Sequence, residues 1–381
     1  MHRTPKLQEM VQTLTATPSI SSTLTQYDQS NLDVVHLLAN WLDSMGFAIK
    51  IKPVSGYPGK ANLIATMGEG TDGLLLSGHT DTVPIDSHLW HSDPFTLQEK
   101  GDRWYGLGVC DMKSFLAICL SAVAPYIGQS LQKPLTILGT ADEESSMCGA
   151  RALDASDLNH ARYAIIGEPT SLVPVTRHKG IMMLSLKVMG KSGHSSKPEL
   201  GKSALDAAGS VIHELGRYRR ILSEKYQDTN FEVVEPTLNL GCIHGGDNPN
   251  RICDHVELAF DLRILPGMNN HAIISEISDR LEPLVTDLGL QFELQTMHPP
   301  LDAFESSGTD LLATIQKTNT QQPASVAFAT EAPFLTSLGI ETIVIGPGSI
   351  DHAHRPDEFL ELAQLDPTIA IIRALIDKYC I

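Results

Sequence analysis

Apolar positions follow three different patterns along the chain. In the first part, short, mainly apolar runs at 74–76, 135–138 and 164–166 have strand length and alternate with helical stretches. Runs of this kind read as strands buried on both faces, so the pattern up to about residue 178 predicts a largely parallel sheet covered by helices on both sides. From Ile181 the pattern changes. Met182, Leu184, Leu186 and Val188 alternate with more polar residues, as in a strand with one buried face. Ala204, Leu205, Ala208, Val211, Ile212 and Leu215 then recur at helical spacing, and strands follow near 238–243 and 255–264. A second helix carries Ile273, Ile274, Ile277, Leu281, Leu284 and Leu288, and a strand near 290–294 closes the block. The order is β-α-β-β-α-β, a split βαβ arrangement. Pro283 inside the second helix predicts a kink.

After residue 298 the first pattern resumes, with a helix over 309–317, a strand over 342–345 and a closing helix near 367–379. The expected architecture is therefore α/β with two domains. Residues 1–179 and 298–381 form a mixed, largely parallel sheet with helices on both faces, and residues 180–297 form an inserted, ferredoxin-like α+β domain.

Composition narrows the partners. With 28 basic against 45 acidic residues, the formal charge of −17 argues against nucleic acid and anionic membranes and favours cationic ligands. No apolar signal core follows Met1 to Lys6. The longest apolar stretch, near 115–127, is shorter than the roughly 20 residues a bilayer requires, which predicts a cytosolic enzyme. Six scattered cysteines without a CxxC pair read as reduced thiols. Cys110, although beside Asp111, reads as a packed thiol, because a soft thiolate suits a carboxylate-rich site poorly.

Five short motifs carry candidate chemistry: His79-Thr80-Asp81, Asp111 ahead of Met112-Lys113, Glu143-Glu144, Glu168 ahead of Pro169, and Asp351-His352-Ala353-His354. The first four are expected at the carboxyl ends of strand-like runs, where open α/β sheets bind ligands. Histidine and carboxylate without cysteine suit a pair of Zn²⁺ ions, with Co²⁺ or Mn²⁺ as substitutes. Asp81, two residues beyond His79, is placed to accept from the second imidazole nitrogen. Adjacent residues point apart in an extended segment, so one of Glu143 and Glu144 can bind metal while the other faces substrate. Either His352 or His354 could be the last ligand. Singly, each motif is more often a surface turn than a metal site, and their conjunction carries the argument.

The chain resembles the M20 metallopeptidase and deacylase family along nearly its whole length. The resemblance rests on 77–84, 106–113, 141–144, 167–170, Gly193-His194-Ser195-Ser196 and the inserted domain. It implies that His79 and Glu168 hold one zinc, Glu144 and His354 the other, and Asp111 both, which selects His354 over His352. Glu143 would be the general base and later the proton donor to the leaving amine, with Asp81 orienting His79. The inserted domain would be a lid and dimerisation domain whose His194 donates to the oxyanion in the partner subunit's site. Asn250 and Arg263 match carboxylate-binding positions, and strand alternation leaves the Arg263 guanidinium free on the non-core face.

Within the family, residues 330–334 and 348–358 look most similar to members acting on acetylated amino acids, and the resemblance implies removal of the acetyl group from N2-acetyl-L-ornithine, giving L-ornithine and acetate in arginine synthesis. Glu331 would read the ornithine ammonium. The rival activities are succinyl-diaminopimelate desuccinylase, aminoacylase and dipeptidase; a metal-binding scaffold without catalysis is the rival outside enzymes. The deacetylase reading implies a small N-acyl amino acid as substrate and a homodimer as the assembly.

Overall fold

A computed structural model describes residues 5–381. It divides into two compact units. One holds the described residues up to Thr176 with Ser306–Ala324 and Thr330–Ile381; the other holds Arg177–Glu305 and Ser325–Ala329. The interrupting unit thus runs further at its C-terminal end than the 180–297 block expected from the pattern.

The first unit is built on a mixed sheet. Its strands lie in the order Ala48–Pro53, Ala61–Met67, Leu135–Thr140, Leu74–His79, Tyr163–Ile166, Glu341–Val344 and Val175–His178, the last of which belongs to this unit only as far as Thr176. The three pairings from Leu135–Thr140 across to Glu341–Val344 are parallel, and the flanking pairings are antiparallel. Every residue of Leu74–His79, Leu135–Thr140 and Tyr163–Ile166 is buried. Strands covered on both faces need mainly apolar runs, which is why these were visible as such. The helices Leu7–Thr15 and Leu365–Tyr379 pack on Lys113–Val123, which lies against Leu74–His79. This near-wholly buried helix takes up most of the 115–127 apolar stretch, and no helix among the described residues is long and apolar enough to cross a membrane.

The second unit is a four-stranded antiparallel sheet in the order Thr237–Gly245, His255–Ile264, Gly180–Met189 and Gln291–Thr296. The helices Ala204–Lys225 and Asn270–Thr286 join its strands in the β-α-β-β-α-β sequence. Strict alternation puts Val256, Leu258, Phe260, Leu262 and Ile264 inside, where they pack with Met182, Val211, Leu215 and Ile277. The second helix continues through Pro283, and Asp287 N–H donates to the Pro283 carbonyl at 3.1 Å.

Candidate metal centre

Three of the five motifs follow the carboxyl ends of neighbouring strands of the first unit. His79 ends Leu74–His79, Glu143 and Glu144 follow Leu135–Thr140 after a turn, and Glu168 follows Tyr163–Ile166. Asp111 differs from expectation: no strand leads directly into it, since Arg103–Tyr105 ends before Gly106, and it lies in turns directly ahead of the helix Lys113–Val123. His354 comes from the loop after Glu341–Val344 and adopts a left-handed backbone, φ 57°. Close packing brings these loops together. A side chain at Gly348, φ 87°, would meet Cys110 Sγ at 2.4 Å, and one at Gly167 would meet the Phe115 ring at 2.1 Å.

Asp111 stands between the two histidines. Its Oδ1 lies 3.0 Å from His79 Nε2 and its Oδ2 3.3 Å from His354 Nε2. Glu144 Oε1 is 2.9 Å from the same His354 nitrogen. Ligand atoms of His79, Glu143 and Glu168 lie within 4.8 Å of one another, as do those of His79, Asp111 and Glu144. His352 is not part of this group and packs its ring on Phe359, centroids 4.1 Å apart. Of the two histidines that the motif alone left open, His354 is the one that meets Asp111 and Glu144.

The electrostatics ask for cations. Burial and the neighbouring carboxylates push the Glu143, Glu144 and Glu168 acids upward. Burial alone would raise Asp111 too, but its hydrogen bonds from His354 and His79 hold it well below the usual carboxylate range. Asp111 and Glu144 push the His354 imidazole up to about 10. Burial pulls the His79 imidazole down, and the Asp111 bond with the surrounding negative charge outweighs it. Glu168 Oε1 is buried with no hydrogen-bond partner. Crowded acids and an orphaned carboxylate oxygen, with nitrogen and oxygen donors only, fit divalent cations. Cys110 stays outside: burial pushes its thiol well up, and Sγ faces the Ser349 carbonyl at 3.5 Å. All six cysteines are unpaired.

Asp81 departs from its expected contact. The group 3.0 Å from His79 Nδ1 is the Asp81 backbone carbonyl, while the nearest Asp81 carboxylate oxygen is 3.7 Å away. That carboxylate accepts instead from the backbone N–H groups of Glu143 at 3.2 Å and Glu144 at 3.1 Å. It therefore fixes the turn bearing both glutamates. Asp142 enters this turn at φ 55° and pairs with buried Lys60 at 2.7 Å, which also bonds Asp28 at 2.7 Å. Sequence reasoning missed Lys60; its one signal was a lysine directly before the apolar run opening Ala61–Met67.

Glu331 is buried beside this cluster. Its Oε2 accepts from Thr140 Oγ1 at 2.8 Å, Oε1 has no partner, and burial pushes the acid up to about 7. It precedes the helix Ala332–Ser337 but makes no capping bond.

His194, Asn250 and Arg263 lie in the other unit. His194 is exposed, and its Nδ1 accepts from the Ser196 backbone N–H at 3.2 Å. A backbone N–H can only donate, so Nε2 carries the imidazole proton. Ser195 N–H donates to the Asn250 carbonyl at 3.0 Å, which holds the two loops together. Arg263 is elsewhere: it pairs in register with Ile181, whereas Val256 pairs with Val188 nearer those loops, a separation of about 3.3 Å per residue. Alternation does place it on the non-core face, yet its guanidinium is not free, because Nε donates to Asp261 Oδ2 at 2.9 Å.

The model of peptidase family M20/M25/M40 matches residues 75–378. The chain belongs to this family. It is a hydrolase of that group, 44% identical over 379 residues to an acetylornithine deacetylase of Photorhabdus laumondii, covering 99% of this chain and 98% of the relative. An acetylornithine deacetylase of Pasteurella multocida is 42% identical, with both chains wholly covered. Among solved structures, aminopeptidase PepT of Bacillus cereus shares the fold with a TM-score of 0.77 at 20% identity, over 99% of both chains. A dinuclear metal-binding M20 peptidase of Bacillus subtilis matches with a TM-score of 0.67 at 16% identity, over 97% of each.

Proposed function

We propose that this M20 hydrolase removes the acetyl group from N2-acetyl-L-ornithine, giving L-ornithine and acetate for arginine synthesis, as a cytosolic homodimer with two zinc ions per subunit. The observation that carries this reading is identity of 42–44% over essentially the whole chain to acetylornithine deacetylases. His79 and Glu168 would hold one ion, Glu144 and His354 the other, and Asp111 both, with one oxygen toward each histidine. Cobalt or manganese would substitute. Bound there, the ions supply Lewis-acid polarisation of the amide carbonyl and lower the pKa of water into the neutral range.

The remaining steps belong to the chain's own side chains. Glu143 takes the proton of the attacking water on its carboxylate and passes it to the departing nitrogen, since an amine leaves poorly without one. Asp81 holds the Glu143 and Glu144 amides and so keeps base and ligand in register. The inserted unit acts as lid and dimerisation domain, and His194 donates its Nε2 proton to the oxyanion in the partner subunit's site. Asn250 and the terminal nitrogens of Arg263 bind the substrate carboxylate. Glu331, with a buried oxygen still unpartnered, receives the ornithine ammonium.

The test is release of free amine from acetylornithine, succinyl-diaminopimelate and acetylmethionine by the wild type and Glu331→Gln, with zinc or cobalt supplied. Wild type should prefer acetylornithine. Glu331→Gln should cost about tenfold more in kcat/KM on acetylornithine than on acetylmethionine, because one partner of a desolvated charge pair is removed. Preference for the succinylated substrate overturns the assignment of activity; equal losses on both acetylated substrates remove Glu331 from substrate reading.

A further inference from the structure

We propose that Glu358 is a positioning residue for the reaction, its buried carboxylate holding the backbone that presents Asp111 to both histidines; this rests on the metal-centre reading above. Glu358 is 2% exposed. Its Oε1 accepts from the backbone N–H groups of Cys110 at 2.7 Å and Asp111 at 3.0 Å, and Oε2 accepts from Gly108 N–H at 3.0 Å. The Gly106 N–H donates to the Glu358 carbonyl at 3.1 Å. Residues 107–112 are turns, so no ladder of a strand or helix is at hand to satisfy these buried donors, and the carboxylate does so instead.

Glu358 also lies four residues beyond His354 and directly precedes the strand Phe359–Glu361, which pairs with Arg103–Tyr105. A single side chain therefore ties the segment bearing His354 to the segment bearing Asp111. Its carboxylate acts on the Asp111 side chain through the backbone of residues 108–111. The arrangement repeats what Asp81 does for Glu143 and Glu144: the loops bearing Asp111 and Glu144 each have a buried carboxylate behind them. Groups that orient metal ligands in this way typically control affinity and rate by about 10- to 100-fold.

Glu358→Gln keeps the shape but turns one acceptor into an NH₂ donor facing backbone N–H groups. Cobalt(II) titrated into chelator-stripped protein, followed by calorimetry and visible absorption, reads the outcome directly. The variant should fold, bind the second cobalt ion at least about tenfold more weakly and show an altered cobalt spectrum. Its kcat on acetylornithine should fall by a similar factor while KM stays within about threefold. Wild-type cobalt affinity and spectrum in Glu358→Gln overturn the proposal. Should that variant not fold, Glu358→Asp, which keeps the charge and withdraws it by one methylene, takes its place with the same expected and overturning results. A wild type that binds fewer than two cobalt ions overturns the metal-centre reading itself, and the Glu358 proposal falls with it.

Discussion

The two units bury ionisable side chains on different scales. In the first, Lys60, His79, Asp111, Lys113, Glu143, Glu168, Glu331 and Glu358 are all buried, whereas in the second His178 and Lys179 are the buried histidine and charged side chains among the described residues. Burying charge is costly unless it is matched. The first unit matches it locally, Lys60 against Asp142 and Asp28 and two carboxylates against backbone amides, and leaves a remainder of crowded acids for cations. The second has an apolar core, and Lys179 is satisfied by the Val233 and Glu235 carbonyls at 2.7 and 2.6 Å. Its proposed oxyanion donor His194 and Asn250 sit on exposed loops. Stability and reactivity are thus entangled in one unit and separate in the other.

The largest effect that would sharpen this contrast is in the crowded cluster. Glu143→Gln should keep nearly normal zinc and lose about 10²- to 10⁴-fold in turnover, because only proton transfer is removed. Glu144→Gln should lose zinc. Bound metal and rate measured in both variants decide it, and equal zinc loss in the two would erase the distinction between base and ligand.

In the second unit the expected effect is on rate without stability. His194→Ala should lower turnover about 10²- to 10³-fold by removing an oxyanion donor, with an unchanged unfolding midpoint. Mixed with Glu143→Gln, it should regain activity, since one site of the heterodimer has both groups intact. Verified heterodimers that stay inactive, or a monomeric protein, would sink donation across the interface.

The smallest effect concerns the buried pair of the second unit. Burial pulls the His178 imidazole down to about 4, below its unfolded value of about 6.5. The folded state therefore favours the neutral ring: its stability is intact above pH 6.5 and falls as pH drops toward 4, by up to about 3 kcal/mol. His178→Gln should flatten that slope when urea unfolding is measured with chelator at pH 7, 5.5 and 4.5. An unchanged slope would assign the acid sensitivity to other groups.

Much of this was legible in the chain because the informative residues follow regular elements. His79 and Glu168 sit at or just past strands buried on both faces, which announce themselves as apolar runs, and the inserted unit declares itself by strict alternation at 182–188. Asp111 was legible only as part of a motif, since a turn into a helix has no apolar run to mark it. The Asp81 contact was misjudged because spacing cannot say whether a carbonyl or a carboxylate meets the imidazole. Glu358 and Lys60 were missed for a related reason. They act on backbone and loops up to 250 residues away in sequence, and nothing local distinguishes such a charge from a solvated one. The edge hairpin of Ala48–Pro53 and Ala61–Met67 turns through glycines at φ 83° and 80°, a signal present at Gly56 and Gly59 in the sequence.

The strand Glu341–Val344 lies inside the first sheet, between Tyr163–Ile166 and Val175–His178. During synthesis, the second unit's four-stranded sheet and its two helices, all within 180–296, emerge together and can close as a unit. The first sheet must wait. Until residue 344 has left the ribosome, the Tyr163–Ile166 strand has an open apolar edge of the kind that recruits other chains. His354 arrives later still, so the nascent protein passes a stretch in which its framework is aggregation-prone and the cluster around Asp111 lacks its second histidine, and truncation before residue 341 removes an interior strand together with that histidine.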